Sequence, residues 1–246
     1  MMNKIATSIT SFSVVVIFLF LYADLTIGEQ ENYKNSFSNN IEIFAQEENN
    51  LPVVKNSKII EFTGINYEDI VNSRDINPNS FTISVWFSTA MNVTGEIDNA
   101  FLLNKGGLGS DRPGFNLNYG IWLNNREKIS GGFETSNGDD YFATSQGSYA
   151  DGVWHNAILI FDDAPNLLKL YIDGVEAATN TTTIGKGTTP DNTGKQPIRL
   201  GANSLAEKGI INGNYTGQLN NIQVWDYAFT KEQIANLFNI EAKISK

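Results

Sequence analysis

From residue 59 onward the chain is built of short runs in which apolar and polar positions alternate, separated by Gly, Asn, Asp and Pro. A period of two predicts an antiparallel β-sandwich or barrel. FTISVWF (81–87) sets Phe81, Ile83, Val85 and Phe87 on one face, the expected core, and Thr82, Ser84 and Trp86 on the other. FNLNYGIWL (115–123) repeats the design, with Asn116, Asn118 and Trp122 opposite Phe115, Leu117, Tyr119, Ile121 and Leu123. WHNAILIF (154–161) is apolar on both faces beyond His155, as a central strand covered on each side should be. LKLYIDG (168–174) runs into an Asp173-Gly174 hairpin turn, and further strands fit 198–200 and 219–225. Helical periodicity is missing from 56–226 and begins only afterwards. There Thr230-Lys231-Glu232-Gln233 has the form of a capping box, and Ile234, Leu237 and Phe238 follow at helical spacing, so a short amphipathic helix is predicted to pack on the sandwich.

The N-terminus obeys a different pattern. After Lys4 no charge occurs before Asp24, and FSVVVIFLFLY (12–22) is almost wholly apolar, the make-up of a signal-peptide core. Thr26-Ile27-Gly28 offers a small-x-small cleavage site, while the uncharged run 5–23 approaches the length of a bilayer-spanning helix, so this hydrophobic helix reads as a removed signal or a membrane anchor. Residues 29–57 are polar and Asn/Glu-rich and read as a linker, with the β-domain at 58–246. Sequons at Asn92, Asn180 and Asn214 lie beside turn-like residues where an exported chain could carry sugar.

Composition narrows the chemistry. In 246 residues, 41% hydrophobic content with 11% aromatics is enough for a sizeable core. A net charge of −10 with no basic cluster argues against nucleic acid as a partner. The absence of cysteine excludes disulfides, thiolate metal sites and thiol nucleophiles.

Seven segments in order carry a resemblance: KIIEFTGINYEDI, FTISVWF, AFLLNKGG, DGVWHNAILIF, LKLYIDGVEAA, IRLGAN and YTGQLNNIQVWDYAFTKEQIANLF. Together, over about residues 59–238, they resemble the laminin-G-like jelly-roll domains of the concanavalin A-like lectin/glucanase superfamily. The resemblance implies an all-β fold of two antiparallel sheets packed face to face, with the closing strand beside the opening one. It also implies a binding role towards glycans, proteins or sulfated partners, with calcium at a loop edge. Where the family usually has Gly-x-Ile-Asp-Glu, this chain has Gly217-Gln218-Leu219-Asn220-Asn221, with amides replacing both carboxylates.

The candidate chemistry divides along the same line. GEIDNAF (95–101) is similar to the ExDxxE strand of the β-glucanase branch in Glu96 and Asp98, but Ala100 or Phe101 stands where the acid should be. Retaining hydrolysis needs two carboxyl groups about 5 Å apart, one of them protonated, so catalysis is not expected. His155 is the single histidine, without a GxSxG or HExxH partner, and reads as a hydrogen-bonded strand-end residue. Asp98, Asp111, Asp139, Asp140 and Asp191 are loop acids from which calcium ligands could come, though without EF-hand spacing. For sugar binding, Asn116, Asn118 and Trp122 on the outer side of FNLNYGIWL form a candidate platform, with Tyr141, Tyr149 and Tyr215 as a possible rim. The competing expectation is that Trp122 is buried, as Trp on average is. An exported, non-catalytic module binding carbohydrate or an extracellular protein is the function the sequence supports, with a glycoside hydrolase of the β-glucanase branch or a structural, adhesive cell-surface protein as the alternatives.

Overall fold

The computed structural model describes residues 51–93, 99–180 and 183–243, all but one of them in the unit Pro52–Lys246. The apolar segment 5–23 and the Glu96/Asp98 motif lie outside the described residues. Among the described residues no helix is long and apolar enough to cross a membrane.

Two antiparallel sheets form the sandwich. One runs β1 (Val54–Asn56), β15 (Thr216–Trp225), β4 (Phe81–Ser88), β9 (Trp154–Asp162), β10 (Leu167–Ile172), β11 (Val175–Thr179), with β2 (Ile60–Thr63) also paired to β15. The other runs β3 (Glu68–Ile70), β12 (Ile198–Leu200), β5 (Asn99–Lys105), β6 (Tyr119–Asn124), β7 (Lys128–Glu134), β8 (Asp140–Ser148). A small hairpin joins β13 (Asn203–Leu205) to β14 (Ile210–Asn212). The last long strand therefore lies against the first two, as the resemblance implies. β1 falls inside the stretch expected to be linker; a three-residue strand is too short to announce itself by alternation, and it is held by pairing Val54 with Val224.

The alternation places the core as expected. Phe81, Ile83, Val85 and Phe87 of β4 are fully buried and meet Tyr119, Ile121 and Leu123 of β6 in one apolar cluster between the sheets. At its centre Phe81, Phe133 and Phe161 interlock, with Phe133 and Phe161 centroids 4.5 Å apart and Phe81 edge-on to Phe133.

β9 is apolar on both faces because its second face is roofed by the C-terminal helix α1 (Lys231–Glu241). Ile158, Ile160 and Tyr171 pack there against Ile234. The helix starts where the sequence indicates: Thr230 accepts from the Gln233 backbone and the Gln233 side chain accepts from the Thr230 backbone. Its far end is pinned to β4 by Trp86, which stacks on Phe238 at 5.9 Å and donates from Nε1 to Glu241 at 2.6 Å. The turn Asp173-Gly174 has both residues at positive φ, +52° and +76°, which suits a two-residue hairpin between β10 and β11. A side chain at Gly174 would meet the Phe238 ring at 2.9 Å, so the same glycine lets the helix close down on the turn.

FNLNYGIWL is only half a strand. β6 starts at Tyr119, and 115–118 belong to a long connection from β5 that folds back across the outer face of its own sheet.

Candidate functional site

On the outer side of the β3–β12 edge lies a groove of about 380 Å³, lined by Asp69, Arg74, Lys195, Gln196 and Arg199 with Phe115 and Gly106 from the β5–β6 connection opposite. Pairing β12 with β3 puts Arg199 directly across from Asp69. The guanidinium donates from Nε and Nη2 to the two carboxylate oxygens at 2.7 and 2.8 Å, and its Cζ lies over the ring of Tyr67, 4.0 Å from the centroid. The Asp69 bond, ahead of opposing burial and helped by the Asp69 charge, holds the Arg199 pKa above the ordinary value. Lys195 pairs with Asp75 at 2.6 Å in open solvent, and Arg74 donates from Nη1 to the Lys195 main-chain oxygen at 3.1 Å. Phe115 carries Arg112 over its ring at 4.8 Å. The site therefore combines a rigid fork, two exposed cations and one lining aromatic side chain, Phe115, with Tyr67 behind the fork.

Each wall is held by buried polar groups. Lys105 sends its ammonium inward to the main-chain oxygens of Ser73, Arg74 and Gln196 at 3.2, 2.9 and 2.5 Å, stitching the segment that leaves β3 to the one that enters β12. Burial lowers its pKa to about 8. The opposite wall hangs on two carboxylates. Glu134 accepts from the backbone of Gly109 and Leu117 at 3.1 and 2.8 Å, and burial pushes its pKa up to about 7. Asp191 accepts from the backbone of Gly114 and Asn116 and from the Thr193 hydroxyl. At Gly106, with φ +76°, a Cβ would lie 2.0 Å from the Asn116 oxygen, so only glycine lets the connection turn here.

The residues singled out by sequence lie elsewhere. Asn116 and Asn118 are buried at 2% exposure each. Asn116 accepts from the Arg112 backbone and donates to Thr135 O, and Asn118 donates to Asp191 O, so both fasten the connection that roofs the sheet. Trp122 does stand on the face opposite the core, but that face is not open. The ring is 3% exposed, stacked on Phe101 at 5.4 Å and met edge-on by Phe142 at 5.2 Å, under Leu117 and Leu108. The expected row of outward side chains is thus an interior layer, because the 106–118 connection supplies a second cover that alternation alone does not reveal. Tyr141 is half-buried against Phe133, Tyr149 packs on His155, and Tyr215 is fully buried.

His155 is a strand-end brace as expected, its Nδ1 2.7 Å from Asp173 and Nε2 3.3 Å from Asp151. Asn92 is exposed, while the Asn214 amide donates to Gly64 O. Among the described residues no three His, Cys, Asp or Glu side chains are grouped to hold a metal ion, and the Asp191 oxygens are already taken by three donors. Sequence reasoning missed Tyr67, Arg74, Lys195 and Arg199; the one local hint is that Arg199 must face away from the core residues Ile198 and Leu200.

Solved structures sharing the fold include the CBM40 module of the Ruminococcus gnavus IT-sialidase bound to α2,3-sialyllactose, with TM-score 0.61 and 16% identity, covering 76% of this chain and 99% of that one. The same module bound to α2,6-sialyllactose superposes at 0.59 with 18% identity over 76% and 99%. The NanB sialidase of Streptococcus pneumoniae matches at 0.59 with 16% identity over 76% of this chain but only 28% of its own, so there the fold is one part of a longer protein. No curated protein matches the sequence. The family model that does match spans residues 62–235, nearly the whole sandwich, and the chain belongs to that laminin-G-like family of the concanavalin A-like lectin/glucanases superfamily.

Proposed function

We propose that this chain is a non-catalytic carbohydrate-binding module acting outside the cell, with the Arg74–Lys195–Arg199 groove as its ligand site. The groove itself carries the reading. It is the size of a small-ligand pocket and sets the apolar Phe115 side chain beside the exposed donors Arg74 and Lys195, a combination suited to the apolar patch and the oxygens of a sugar ring. Support comes from the fold shared with modules solved holding sialyllactose. The apolar segment 5–23 supports export, with or without retention at the membrane.

A non-catalytic role is supported by the fate of the carboxylates. Among the described residues Glu134 and Asp140 face each other across β7 and β8, yet Glu134 is 2% exposed and both its oxygens accept backbone N–H groups. A glycan array probed with the full chain, with and without calcium, tests the proposal. Binding to a defined set of glycans, weakened by Arg199→Ala, is the expected result. An empty array, or release of reducing ends from a glucan, overturns it.

A further inference from the structure

We infer that the groove selects sugars bearing an anionic group, a carboxylate or a sulfate ester, and reads that group with Arg74 and Lys195. This rests on the glycan-binding reading and adds the charge of the ligand.

The chain carries a net charge of −10, yet three cations and one carboxylate line this groove. The three are not equivalent. Arg199 is committed to Asp69 and to the Tyr67 ring, which fixes it as scaffold. Lys195 is paired with Asp75, but their side chains are 74% and 83% exposed, and an ion pair in open water is readily exchanged for a better partner. Arg74 makes its bond to a main-chain oxygen, so its charge is met by no carboxylate there. Because that bond runs to Lys195 itself, the two cations belong to one wall. Behind the same wall Lys105 bonds three carbonyls, one of them Arg74's own, and adds positive potential from the protein side where water does not screen it.

An anion between Arg74 and Lys195 gains charge-assisted hydrogen bonds while Phe115 covers the apolar edge of the ring. A neutral sugar satisfies neither cation. Elsewhere the acidic surface repels anionic ligands, so the groove also sets where they land.

The experiment is titration calorimetry of the full chain with 3′-sialyllactose, a sulfated disaccharide and lactose, at two salt concentrations. One or both anionic sugars should bind, at least about tenfold more tightly than lactose and more weakly at higher salt. Arg74→Ala should lose about tenfold and Arg74→Lys less, with thermal stability unchanged because Arg74 is exposed. Lys195→Ala should lose several-fold. The two anionic arms separate a carboxylate from a sulfate reader. Equal binding of lactose, or anion binding that ignores Arg74→Ala, overturns the inference while leaving glycan binding standing. No binding of any of the three, together with an empty array, overturns both.

Discussion

Arg199 and Asp69 face each other across the β12–β3 ladder, and their side chains close a two-bond fork at 2.7 and 2.8 Å against the face of Tyr67. The pair belongs both to the sheet edge and to the groove, so its two members should separate stability from binding. Asp69→Asn keeps one acceptor but removes the negative charge from the groove. Stability should fall by about 1–2 kcal/mol in urea unfolding, while affinity for an anionic sugar rises about threefold. If both fall together, the carboxylate is holding the ligand site open and is not competing with the ligand.

The anchor of α1 is polar as well as apolar. Glu241 is 6% exposed and accepts from Trp86 Nε1 and from the Gln223 amide, and burial raises its pKa above the ordinary glutamate value. Glu241→Ala leaves the two donors buried and unmatched, which costs about 1–3 kcal/mol. Glu241→Gln retains an acceptor for Trp86 and should lose less. Urea midpoints followed by Trp fluorescence will rank the variants, and equal midpoints for wild type and Glu241→Ala would show that stacking of Phe238 on Trp86 suffices.

His155 sits between Asp173 and Asp151, and the Asp173 bond, ahead of opposing burial, raises its pKa above 6.5. The folded state therefore holds the proton more tightly than the unfolded chain. The stabilisation is complete below pH 6.5 and is lost as pH rises through the folded value. With both carboxylates substantially exposed it amounts to less than about 1 kcal/mol. Glu134 and Glu241 are also raised and act in the same direction, so the comparison is between wild type and His155→Gln melted in parallel from pH 5.5 to 8.5. The gap in Tm should narrow with rising pH; a constant gap would mean that His155 acts by packing on Tyr149 and Phe87 alone.

Sheet, core and helix were legible because each has a local signature. FTISVWF alternates, WHNAILIF needs two covers, and Thr230 with Gln233 forms a box four residues long. The groove has none. Arg199 and Asp69 lie 130 residues apart on strands of three residues, and only their ladder brings them together. Asn116 and Asn118 were misplaced for a related reason. Alternation tells which side of a strand a residue takes, but whether that side meets water depends on the route of the next connection, here set by Gly106 and by the buried Glu134 and Asp191.

Trp122 decides between the two descriptions of the outer face. Were it a sugar platform, Trp122→Ala would abolish binding and leave the fold intact. Enclosed by Phe101, Phe142 and Leu117, the ring instead holds the connection against the sheet, and its removal opens a void between the connection and β6. The variant should lose about 3–5 kcal/mol in urea unfolding. Measured well below its unfolding midpoint, its affinity for an anionic sugar should stay within about threefold of wild type, because the indole does not line the groove. An unchanged midpoint with binding abolished would return Trp122 to the ligand site and remove the groove from it.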